Sequence, residues 1–116
     1  MALDFGLDAA QIQYIRQGET DGARVDYTAY LRSGETISNV SAVAITGTST
    51  GAAASSIAAS TATLTILGQT VSIANAVTFN IAVGSTASIG FYEALITTTT
   101  SDSRIGKRKI GFSVVT

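Results

Sequence analysis

Eight acids are the only carboxylate side chains of the chain: Asp4, Asp8, Glu19, Asp21, Asp26, Glu35, Glu93 and Asp102. A pair of carboxylates working as acid and base must stand about 5–10 Å apart across a substrate bond. All eight lie outside the long middle of the chain, and no pair has a spacing that sets up such work; only a fold that joins the two ends could do so. Ser and Thr are abundant, but there is no His to take a hydroxyl proton, and the hydroxyl-rich run ITTTTSDSR, residues 96–104, has no elbow signature such as GxSxG. There is no Cys either, which removes thiol nucleophiles, disulfides and thiolate ligands. The acids do not follow the spacing of a calcium loop. These residues predict a protein that is not an enzyme and that carries no metal and no cofactor.

The one concentrated charge is the basic run Arg104-Ile-Gly-Lys-Arg-Lys109. Phosphate contacts are one use for such a run. A simpler use is a hairpin end whose long side chains reach solvent, with Glu93 as a partner across the strands. With a net charge of −1, the whole chain has no electrostatic attraction to nucleic acid or to an anionic membrane. Asn39-Val40-Ser41 matches the glycosylation triplet, a pattern that also arises by chance.

Charge is scarce and unevenly placed. Only 13% of residues are charged, about half the usual share, and none occurs between Glu35 and Glu93. That middle is interrupted throughout by Ser, Thr, Asn, Gln and Gly, so it offers no membrane-spanning run. The first residues, MALDFGLDAA, hold two acids and no basic n-region, so no secretory signal is expected. A surface with so little charge has little like-charge repulsion to keep copies apart, which suits contact with other proteins.

The elements that must position these residues are strands. Leu64 and Ile66 alternate with Thr63 and Thr65, and Val77, Phe79, Ile81 and Val83 alternate with Thr78, Asn80 and Ala82. Tyr92, Ala94 and Ile96 share one face, as do Ile110, Phe112 and Val114. Period two marks strands with one buried face, and Thr fits the other face because its branched Cβ suits a pleated surface. Turn residues punctuate the runs at 47–51, Gly68-Gln69, Asn75, Gly84-Ser85 and Ser101-Asp102-Ser103. The pattern predicts strands at 39–46, 61–67, 70–74, 76–83, 89–99 and 105–115, with another in the first 25 residues. Residues 51–60, GAAASSIAAS, read as a loop in preference to a helical turn at Ala52 to Ala59, because Ser and Gly dominate the flanks. Asp26 or Thr28 is placed to cap a short helical turn through Tyr30 and Leu31 that Gly34 closes. Tyr92 begins the penultimate strand, where a sandwich can bury a tyrosine whose hydroxyl bonds the backbone.

The fold class expected is all-β: an immunoglobulin-like antiparallel β-sandwich over 23–116, preceded by an N-terminal arm or first strand over 1–22. Ile12, Tyr14 and Arg16 alternate as in a strand, while Ile12 and Ile15 also fit a helix. An arm carrying Leu3, Phe5 and Leu7, continued by Tyr14 and Arg16, is a device for gripping a neighbouring subunit, and these five are the candidate interface residues.

Val25 to Gly47, VDYTAYLRSGETISNVSAVAITG, resembles the opening of a group of small tailed-phage virion proteins with an immunoglobulin-like fold. That opening runs Asp-aromatic, a short turn, an aromatic and Leu, then Ser-Gly-Asp/Glu-Thr-Ile before a strand. Val77 to Val114, with its Gly turn, Tyr-started strand and Thr-Thr-Ser-Asp hairpin with Arg, is similar to the end of those domains. The resemblance covers about residues 24–115. It departs at aromatic positions, where Tyr30 and Ala42 or Val43 stand in place of the group's Trp. The resemblance implies a structural virion protein, assembled in the host bacterial cytoplasm, that joins fibres or other components to the tail or neck. Its implied partners are other virion proteins, met in multiple copies. A capsid decoration protein is the alternative. A carbohydrate- or receptor-binding module is a third reading, which calls for exposed aromatics on one face; Tyr14, Tyr27, Tyr30 and Tyr92 are the tyrosines available.

Overall fold

The computed structural model describes residues 2–7, 13–47 and 51–116. Asp8, Ile12 and the middle of the turn expected at 47–51 lie outside the described residues. Among the described residues ten strands run in chain order: β1 Ala2–Gly6, β2 Gln13–Arg16, β3 Thr20–Asp26, β4 Ile37–Gly47, β5 Ala52–Ala59, β6 Leu64–Ile66, β7 Gln69–Val71, β8 Ala76–Val83, β9 Gly90–Thr100 and β10 Ile105–Val115. No helix occurs among the described residues, so none is long and apolar enough to cross a membrane.

The strands form two four-stranded sheets, β1-β3-β8-β5 and β2-β10-β9-β4, and a small β6-β7 hairpin. One sheet contributes Leu3, Phe5, Val25, Val77, Phe79, Ile81 and Val83 to a shared core, and the other contributes Ile15, Ile37, Tyr92, Ala94, Ile96, Phe112 and Val114. Two inner faces meeting in one core is the sandwich that the period-two pattern demands. The hairpin closes a second, smaller core of Ile66, Val71 and Ala76. Its turn residues Leu67 and Gly68 both have positive φ, 50° and 78°, as a two-residue hairpin needs to match strand twist.

The expectation of an antiparallel sandwich needs correction at the N-terminus. β1 pairs parallel with β3, Leu3 opposite Ala23 and Phe5 opposite Val25. β2 pairs parallel with β10, Ile15 opposite Val114. β2 thus lies in the opposite sheet from β1 and β3. The boundary expected between residues 22 and 23 falls inside β3.

Residues 51–60, expected as a loop, contain a strand. β5 pairs with β8, and its register shifts between Ser55 and Ala58, with Ser56 at φ 54°. Ala52 and Ala54 pack on the core before this bulge and Ile57 and Ala59 after it, so the extra residue restores the inward face. β4 carries two irregularities of the same kind, between Ile37 and Asn39 and between Val40 and Ala42. There Ser38 and Ser41 hydroxyls donate to the carbonyls of Thr99 and Thr97.

Tyr92 is buried, and its hydroxyl donates to the Ser88 carbonyl at 2.8 Å. Its ring stacks on Phe112, with centroids 5.5 Å apart and planes 11° from parallel. The segment after β3 makes a single turn, with the Tyr30 and Leu31 amides donating to the Tyr27 carbonyl at 2.9 and 3.1 Å. Asp26 is its cap, accepting from the Thr28 amide at 2.9 Å, and Gly34 closes it at φ 76°.

Candidate functional site

The five residues expected at an interface separate into two groups. Leu3 and Phe5 are buried in this chain's own core, and Leu7 packs against it half-buried. Their apolar side chains are used up inside the sandwich, so they form no projecting arm; the expectation that they grip a neighbour is corrected on that ground. Asp4 between them is held by a two-pronged ion pair, with Arg24 Nε and Nη2 each 2.9 Å from one carboxylate oxygen. Tyr14 and Arg16 point outward from β2, and Tyr14 is 64% exposed.

Among the described residues Glu35 is the one buried acid. The Arg104 guanidinium donates to both of its oxygens, the Thr100 hydroxyl donates to Oε2, and the Arg32 amide donates to Oε1 at 2.9 Å. The side-chain hydrogen bonds from Arg104 hold the Glu35 carboxyl well below its usual range, at about 2. Arg104 also donates to the Tyr30 carbonyl at 3.1 Å. The guanidiniums of Arg104 and Arg108 lie 4.6 and 4.7 Å from the Tyr30 ring centroid. Gly106 lets the tyrosine lie close, since a Cβ there would be 2.6 Å from Tyr30 Cζ. This knot ties the turn at 27–36 to the β9–β10 hairpin. Its carboxylate is fully ionised and its oxygens are occupied, so it serves as a clasp rather than a proton donor. Arg104 thus pairs with Glu35, whereas Glu93, its expected class of partner, stands opposite Gly111.

Charge is segregated in space as well as in sequence. β4, β5, β6, β7 and β8 contain no charged residue. Among the described residues β4 and β5 each pair on one side only, as the last strands of their sheets. Edge strands are normally blunted by Lys, Pro or bulges, because their free N–H and C=O groups template pairing with another chain. These two have bulges but neither Lys nor Pro.

The outer face of the other edge is different. Tyr14, Ser113 and Phe91 stand side by side on β2, β10 and β9. Phe91 is 45% exposed and lies over Gly111, where a Cβ would be 2.5 Å from its Cζ. Beside Tyr14 opens a cleft of about 350 Å³ lined by Arg16, Glu19, Asp21 and Val115. Glu19 Oε1 accepts from the Arg16 amide at 3.0 Å, and Arg16 Nη1 donates to the Thr116 carbonyl at 3.3 Å. Phe91 was not among the aromatics singled out from the sequence; it has the parity opposite to buried Tyr92, which is the signal that finds it. Tyr27 and Tyr92 are buried and Tyr30 is half-covered by its arginines, so Tyr14 alone of the four tyrosines is freely presented.

Among the described residues no group of three or more acids, His or Cys is placed to hold a metal ion. The sequence matches no family model and no curated protein.

Proposed function

We propose that this chain is a non-enzymatic structural component of a phage virion, an immunoglobulin-like adaptor that joins fibres or other components to the tail or neck. The observation that carries an assembly role is the uncharged flank formed by the open edges of β4 and β5. Permanent interfaces are depleted of charge at their cores, and an edge that carries no Lys or Pro accepts a partner strand by backbone hydrogen bonds along the stretches its bulges leave regular. The immunoglobulin-like assignment is supported by strand order. β1, β3, β8 and β5 fall in the order A-B-E-D, facing β10, β9 and β4 in the order G-F-C. It is supported also by Tyr92, whose bond to a carbonyl four residues upstream has the form of a tyrosine corner. The clasp at Glu35 keeps the turn and hairpin at one end rigid, which suits a module whose work is geometric.

The test quantifies the chain in purified particles and compares wild type with a double variant, Ala44→Lys and Ala53→Lys. Both alanines are exposed and lie on β4 and β5. A ring of adaptors corresponds to on the order of a dozen copies, and a capsid decoration protein to on the order of hundreds. The double variant should fold and fail to incorporate. Absence of the wild-type chain from particles, or normal incorporation of the variant, refutes the reading.

A further inference from the structure

The geometry points to a glycan-binding site on the outer face of β2, β10 and β9, with Tyr14 and Phe91 as stacking surfaces and the Arg16, Glu19 and Asp21 cleft as the polar half. This site uses a different surface from the adaptor flank and stands or falls independently of that reading.

The platform has the shape that a sugar needs. Tyr14 and Phe91 are separated by one strand, hence by about 9–10 Å, and the residue between them is the small Ser113. Gly111 allows the Phe91 ring to lie down over the sheet, leaving it accessible from solvent. Two large rings on a flat, water-facing surface are costly to leave bare, and both stay exposed among the described residues. Pyranose rings present an apolar C–H face that stacks on an aromatic, and a rim of hydroxyls that requires hydrogen-bonding partners. The cleft next to Tyr14 supplies such partners: two carboxylates that accept from hydroxyls, and a guanidinium that donates.

The same features argue against other ligands. A small apolar molecule requires enclosure, and this surface is open. Single-stranded nucleic acid also stacks on aromatics, but its phosphates would meet two carboxylates for one guanidinium. A neutral, extended oligosaccharide, laid from Phe91 across Ser113 and Tyr14 into the cleft, meets complementary chemistry at each step.

The full chain is screened on a printed array of neutral and acidic oligosaccharides. It is then titrated with cellohexaose, chitohexaose and maltohexaose while its amide NMR spectrum is followed. The expected result is a neutral glycan that half-saturates at or below about 10 mM, the weak range of single-site recognition. Its shifts should centre on Tyr14, Phe91, Gly111 and Ser113. Phe91→Ala and Tyr14→Ala should each weaken binding about tenfold or more, and Glu19→Gln should weaken it less. Tyr14 makes few packing contacts at its exposure, so its variant keeps the test valid if Phe91→Ala unfolds. Ile105→Ala, at an exposed apolar residue on the far end of β10, should change nothing. The proposal is overturned if no glycan on the array or in solution produces shifts, if the shifts map elsewhere, or if Tyr14→Ala leaves binding intact. It is equally overturned if the chain sediments as a dimer that Tyr14→Ala dissolves, because the face would then belong to a second copy.

Discussion

Replacing Gly47 by Ala should destabilise the sandwich, and the cost should vanish when the Tyr92 ring is removed. Gly47 ends β4 directly opposite Tyr92. A Cβ at this position would lie 2.7 Å from Cγ and 2.9 Å from Cε2 of that ring, closer than real carbons approach. The ring has nowhere to go. It is buried, stacked on Phe112, and tethered through its hydroxyl to the Ser88 carbonyl. Forcing a methyl into such packing costs about 1–3 kcal/mol. The strand gains roughly 0.5–1 kcal/mol from replacing glycine, so the middle of the two ranges leaves a net loss of about 1 kcal/mol. For a chain of this size that lowers Tm by roughly 4–6 °C. Tyr92→Phe, which loses only the tether, should cost about 1 kcal/mol. The double-mutant cycle is decisive. In a Tyr92→Leu background the methyl of Gly47→Ala enters vacated space, and the substitution should become neutral or slightly stabilising. Urea denaturation of the four proteins measures the coupling. If Gly47→Ala is neutral in the wild type, or equally damaging without the ring, the claim that Tyr92 is immovably seated is wrong.

Glu35 makes stability depend on pH in a defined window. Its folded-state pKa is depressed from 4.5 to about 2, chiefly by the hydrogen bonds from Arg104. Its contribution is therefore complete above about 4.5, declines as the unfolded chain begins to take up the proton, and is gone once pH falls through about 2. Acid denaturation followed by circular dichroism should show this slope, and Glu35→Gln should flatten it. Thr98 is buried on the inner face of β9 and its hydroxyl has no protein partner, so Thr98→Val should stabilise by about 1 kcal/mol in thermal melts. Deleting residues 2–6 removes Leu3 and Phe5 from the core, side chains whose loss costs about 2–5 kcal/mol each. Against a total stability of about 5–15 kcal/mol, the truncated chain should be largely unfolded by far-ultraviolet circular dichroism; a well-folded product would show that β1 is dispensable.

The strands most legible in the sequence are those whose ladders run without interruption. β8 and β10 occupy 76–83 and 105–115, the bounds that strict alternation of Val77, Phe79, Ile81 and of Ile110, Phe112, Val114 implies. β5 was hidden because its bulge switches parity between Ala54 and Ile57, leaving no period to detect, and because Ala and Ser carry weak strand preference. β1 and β2 are short edge strands whose parallel pairing depends on partners far along the chain, a tertiary fact without a local pattern. The Glu35–Arg104 clasp joins residues 69 apart, each of which looks like an ordinary surface charge in the sequence. Of the candidate interface residues, Tyr14 and Arg16 share one strand face by alternation, and buried Ile15 between them turns that face outward. Leu3 and Phe5 alternate in the same manner, and alternation cannot tell whether an apolar face meets its own core or a neighbour.

The empty stretch between Glu35 and Glu93 has a further consequence for the flank of β4 and β5. A contact made there has no Coulombic component of its own, so dissolved ions have almost nothing to screen. Binding along these edges should be indifferent to ionic strength from dilute buffer to brine, and strengthened by sulfate or phosphate, which favour burial of surface. A joint built from backbone hydrogen bonds and small side chains would hold through abrupt changes of salinity that loosen an interface held by ion pairs.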